Sequence, residues 1–137
     1  MDAQGNIYGT TDAYGPSGCF EGCGTLYKID TSGNFTVLHS FTGGDDGDHP
    51  QGVISDSAGN LYLTTQGGNP TCTGGFGCGL VVKLDTAGKY TVLHKFNGKD
   101  GYGPMGLSLN ENTGILYGVA DLGGLCNFCG TIFEITP

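Results

Sequence analysis

Six cysteines in three local pairs are the first candidates for chemistry in this chain: Cys19 with Cys23, Cys72 with Cys78, and Cys126 with Cys129. The second member of each pair is followed by a glycine, at Gly24, Gly79 and Gly130. Neighbouring thiols can form disulfides, hold zinc or cycle as a redox couple. The recurrence favours the first of these, with each pair closing its own loop at a gain of about 2 kcal/mol. The rival is zinc shared between two pairs, since Cys-x2-Cys is a ligand spacing. The spacings differ from pair to pair, however, and stacked repeats would hold the loops apart. A redox couple at Cys126 and Cys129 would normally open a helix, and no helix is expected here.

Each cysteine loop also carries one phenylalanine, at Phe20, Phe76 and Phe128. Such rings would either cover their own disulfide or, together with Tyr14 and Tyr102, form an apolar rim for a glycan or protein ligand. His39 and His94 occupy equal positions at the end of a strand-like segment and so read as structural, each bonding a neighbouring strand or turn. His49 has no histidine counterpart, because Gly103 stands at the matching place. The loop Gly43-Gly44-Asp45-Asp46-Gly47-Asp48 gathers carboxylates, and Asp45, Asp46 and Asp48 are the ligands that calcium would use. The second copy keeps only Asp100-Gly101, which favours turn chemistry over metal binding. No other cofactor is indicated. Asn34-Phe35-Thr36 fits an N-glycosylation acceptor at Asn34. No nucleophile elbow, phosphate loop or zinc-protease motif occurs, so no catalytic residue is assigned.

These residues sit on a repeat. Gly5-Asn6-Ile7-Tyr8, Gly59-Asn60-Leu61-Tyr62 and Gly114-Ile115-Leu116-Tyr117 open three copies, the tyrosines being 54 and then 55 positions apart. The copies run over about 5–58 and 59–113, with a half copy at 114–137. A full copy has four apolar segments of strand length: 6–11, 25–29, 35–41 and 52–55 in the first, 60–65, 80–84, 90–96 and 106–109 in the second. The half copy has only 115–119 and 131–135. Asp-Thr-Ser-Gly and Asp-Thr-Ala-Gly turns join the segments, and nothing shows a helical period. The expectation is an all-β single domain, a propeller-like array of four-stranded antiparallel blades with two full repeats and a half repeat.

With 28 glycines and a net charge of -8 in 137 residues, the chain is suited neither to nucleic acid nor to an anionic membrane surface. No apolar run is long enough to span a membrane. The even cysteine count points to an oxidising compartment, extracellular or at the cell surface.

The segments Gly-Asn-Ile-Tyr-Gly-Thr-Thr (5–11), Gly24 to Ile29, and Phe35 to Phe41 followed by Gly43 and Asp46-Gly47 resemble the GloVer-type tandem repeat. The second copy matches through Thr91 to Phe96, Asp100-Gly101 and Pro104. The resemblance implies a secreted or surface-anchored bacterial propeller-like protein, without a defined enzymatic activity. The inserted cysteines depart from the usual pattern. The last copy stops after its second segment, and the expectation is that its unfinished sheet pairs with other protomers in a filament or closed oligomer.

Overall fold

The computed structural model describes residues 1–13, 19, 22–69, 71–72, 77–124 and 129–137. Ten antiparallel strands make three sheets, and no helix occurs among the described residues. The first sheet is β1 (Ile7–Thr11), β2 (Thr25–Ile29) and β3 (Phe35–Ser40), in that order. The second is β4 (Asp48–Ser55), β5 (Leu61–Gly67), β6 (Leu80–Leu84) and β7 (Tyr90–Lys95). In the third, β9 (Leu116–Leu122) lies between β8 (Tyr102–Leu109) and β10 (Thr131–Ile135).

The hydrogen-bonded sheets are offset from the sequence copies by one strand. The fourth segment of the first copy is β4, which pairs with β5 of the second copy rather than with its own β3. The fourth segment of the second copy is β8, which pairs with β9. The last copy therefore lies in a three-stranded sheet rather than the two-stranded one its two segments suggested. Both borrowed strands are longer than expected, and both contain a bulge where a positive-φ glycine, Gly52 or Gly106, drops out of register.

The middle sheet is apolar on both faces. Leu61, Leu63, Leu80, Val82 and Leu84 pack with Leu26, Phe41 and Cys23 of the first sheet and its loops. On the other face Tyr62, Val81, Phe96 and Cys78 pack with Leu116, Phe133 and Ile135 of the third sheet. This is why β5 and β6 read as continuous apolar runs instead of alternating ones.

The sheets are pinned to each other beside the cysteines. The N–H of His49, on β4, donates to the Cys23 carbonyl at 3.0 Å, and that of Gly103, on β8, donates to the Cys78 carbonyl at 3.1 Å. The buried Pro50 and Pro104 lie on Gly24 and Gly79, so close that a Cβ there would sit 2.5 and 2.3 Å from the proline Cδ. Cys23-Gly24 and Cys78-Gly79 are thus each a seat for the next sheet.

The turns are held by one repeated device. Asp2, Asp30, Asp56 and Asp85 each accept from the backbone N–H two and four residues on. The side chains of Asn6, Asn34 and Asn60 reach back to the same aspartates at 2.7–2.9 Å. Tyr8 and Tyr62 donate their hydroxyls to Asp2 and Asp56 at 2.9 and 3.0 Å. Partial burial pushes the Asp56 carboxyl up, but the Asn60, Tyr62 and backbone donors outweigh it and leave its pKa below 3.8. Asp2 is drawn down to about 2, first by the Asn6 side chain, against burial and with help from backbone donors and Tyr8. A carboxylate whose folded pKa is depressed stabilises the fold above its unfolded value and loses that contribution as pH falls through the folded one. The melting temperature should therefore drop as pH falls from about 4 towards about 2, and Asp56→Asn should flatten that slope. An unchanged slope in the variant, read by thermal melts across this range, would exclude Asp56 as a source of acid sensitivity.

Candidate functional site

Among the described residues, the feature most like a site is a cleft of about 310 Å³ between the second and third sheets, lined by residues of β4, β5, β8 and β9. Asp48, His49 and Tyr102 supply its polar groups, with Gln66 and Asp121 beside them and Met105 and Leu122 as apolar wall. Asp48 is 5% exposed. Its Oδ1 lies 3.1 Å from His49 Nδ1, but poorly aligned, and that oxygen accepts no hydrogen bond among the described residues. His49 itself has φ of +49°, a left-handed backbone that suits the Gly103 of the equivalent position far better than a histidine. A buried, under-bonded carboxylate and a strained histidine on the wall of one cleft are features that a polar or cationic ligand would satisfy.

The sequence singled out Asp48 and Tyr102, but for separate reasons, and the fold brings them together. Gln66 and Asp121 did carry a signal in the sequence: with Asp12 they hold one repeat position, four residues after Tyr8, Tyr62 and Tyr117, and it is polar in all three copies.

The other aspartates of the acidic loop turn elsewhere. Asp45 Oδ1 pairs with Lys95 Nζ at 2.7 Å, and Asp46 accepts from Thr42 and lies 3.2 Å from His39 Nε2. The three carboxylates read as calcium ligands thus have three different partners, and no group of three His, Cys, Asp or Glu is placed to hold a metal among the described residues.

His39 and His94 brace the turns that follow their strands. His39 stacks on Tyr90 at 4.3 Å between ring centres and meets Phe41 edge-on. His94 lies 2.9 Å from Asp100 Oδ2 and meets Phe96 edge-on. Tyr90, whose hydroxyl pKa burial drives well upward, donates to the Asp46 carbonyl at 2.6 Å and ties β7 to the loop before β4. The contacts of Tyr90 with His39 and with the Asp46 carbonyl thus join the first and second sheets.

Two of the cysteine pairs, Cys19 with Cys23 and Cys72 with Cys78, are disulfides. Cys129 is also oxidised, while Cys126 lies outside the described residues, as do Tyr14, Phe20, Phe76 and Phe128. Local disulfides of this kind mark an oxidising compartment. Asn34 is exposed on its turn, its amide nitrogen donating to Asp30.

The ends of the stack have a different character. Ile7, Phe35 and Val37 are exposed on the first sheet, and Met105, Tyr117, Val119 and Ile132 on the third.

The fold is that of an all-β tandem-repeat protein in which each full copy supplies strands to two sheets. Residues 1–137 match the family described as the Gloeobacter/Verrucomicrobia repeat, and the chain belongs to that family. No curated protein matches it.

Proposed function

We propose that this is an extracellular structural protein, a propeller-like stack of sheets that assembles with other copies of itself. The observation carrying this reading is the contrast between the sheets. The middle one is apolar and covered on both faces, whereas each end sheet is covered on one face and exposes large apolar side chains on the other. The edge strands β3 and β10 add unpaired backbone groups to those ends. Four strands in the middle sheet, and inner strands β4 and β8 lying against each other, support blades of the propeller kind. The local disulfides support the extracellular setting. Sedimentation of the purified protein at micromolar and higher concentrations tests the reading. Oligomers or filaments are expected, and a monomer throughout overturns it.

A second reading, a secreted binding module for a glycan or another polar ligand, is favoured by the cleft, where Tyr102 offers a ring beside Asp48 and His49. Here His49→Gly separates stability from function. Relief of the left-handed strain should stabilise the fold by about 1 kcal/mol, and loss of the imidazole should weaken any glycan-array hit. A hit that survives both His49→Gly and Asp48→Asn excludes the cleft as its site.

A further inference from the structure

The two ends of the stack carry faces that its interior shows how to cover. Ile7 holds the repeat position of Leu61 and Leu116, yet it is 51% exposed where they are 4% and 0%. Ile132 holds the position of Leu26 and Val81, yet it is 83% exposed where both are 0%. Leu61 and Leu116 face the preceding or middle sheet across an internal interface, while Leu26 and Val81 face the following sheet. The uncovered face of the first sheet is therefore of the kind that packs backwards, and that of the third sheet is of the kind that packs forwards.

The details match on both sides. On the third sheet, Met105 pairs with Val119 and Val119 with Ile132, an apolar row across three strands. The corresponding row of the middle sheet contains Thr64 and Val81, both fully buried. On the first sheet, the Tyr27 ring lies over Gly9, where a Cβ would meet its hydroxyl at 2.4 Å, and packs 5.1 Å from the Phe35 ring. Inside the molecule Phe133 lies over Gly118 in the same way, and there it belongs to the core between the second and third sheets.

We infer that a second copy of this chain covers these faces head to tail: the outer face of one copy's first sheet, with Ile7 and Tyr27, docks on the Met105–Val119–Ile132 row of the next copy's third sheet. The inference rests on the assembly proposed above and specifies its surface. The occupant is identified by continuity, because both internal interfaces already join these same two kinds of face. The contact uses different surfaces on the two partners, so it closes into a ring or grows as a filament.

Two single variants and their mixture test this. Ile7→Lys and Ile132→Lys each place a charge at an exposed position and should leave the melting temperature nearly unchanged. Each alone should lower self-affinity by at least about tenfold and run as a monomer. Mixed, they should form a one-to-one heterodimer and no larger species, since each retains the face that the other has lost. A wild-type protein that is monomeric overturns the assembly itself. A wild type that assembles while both variants still assemble alone overturns only the head-to-tail faces and leaves the strand edges as the contact. Dimerisation of either variant alone, without its counterpart, points to a like-with-like interface and also overturns the proposal.

Discussion

Gly79→Ala is expected to lower stability by about 3 to 5 kcal/mol, through two effects acting at one atom. Gly79 has φ of +91°, and a left-handed L-residue costs roughly 1–2 kcal/mol. A Cβ there would also stand 2.4 Å from the Thr65 carbonyl oxygen and 2.3 Å from Pro104 Cδ. Neither neighbour is the free end of a flexible side chain, so the third sheet would have to move off its seat. Gly88 isolates the second effect, because it has a similar φ of +81° with nothing within 4 Å of its would-be Cβ. Gly88→Ala should cost about 1 kcal/mol. Melts of the two variants should differ by about 10 °C or more. Equal melting temperatures would mean that the close approach of the sheets contributes nothing.

Phe96→Ala is expected to cost about 3 to 5 kcal/mol, the usual range for truncating a buried aromatic ring. Phe96 is fully buried, meets Phe133 at 5.0 Å between ring centres and His94 at 4.7 Å, and sits in the core joining the second and third sheets. Its backbone N–H still reaches the Gly79 carbonyl and its carbonyl still accepts from Asn69, so the variant removes packing and leaves those bonds. The damage should also be local. Hydrogen exchange should accelerate first in β8, β9 and β10, whereas Phe41→Ala, at the equivalent place between the first and second sheets, should loosen β1 to β3. Uniform acceleration over all ten strands in both variants would show that the sheets unfold as one unit and that the two cores are not separable.

Much of this architecture was legible because the repeat says the same thing more than once. Thr25–Ile29 and Leu80–Leu84 are strands with the bounds their composition implied, and the third such segment, Thr131–Ile135, follows suit. The starts of β4 and β8 were not legible, since Asp48-His49-Pro50 and Tyr102-Gly103-Pro104 look like turn sequence. They become strand because Pro50 and Pro104 pack on the preceding Cys-Gly, a long-range contact that local composition does not encode. The offset between copies and sheets was also hidden. A period of 54 residues fixes how often a strand recurs and leaves open which neighbour it bonds. The Asp-x-x-Gly turns were visible, and so was the asparagine that follows the glycine in three of the four, Asn6, Asn34 and Asn60, which closes the turn from the other side. In the cleft, Asp48 and Tyr102 stood out only by type. Their convergence with Gln66 and Asp121 depends on β4 crossing to the second sheet and β8 to the third.

That crossing has a consequence for how such a protein can change length. Because the second and third sheets each take their first strand from the copy before, the join between two sheets is a stitch in the covalent chain, not a boundary between modules. A duplication or deletion of one 54-residue period, wherever its breakpoints fall, restores the same order of strands and leaves each sheet with the partners it needs. The gene for such a chain can gain or lose a sheet by unequal recombination without placing the crossover at any particular codon. The number of sheets is then free to drift, while the way one sheet is sewn to the next stays fixed.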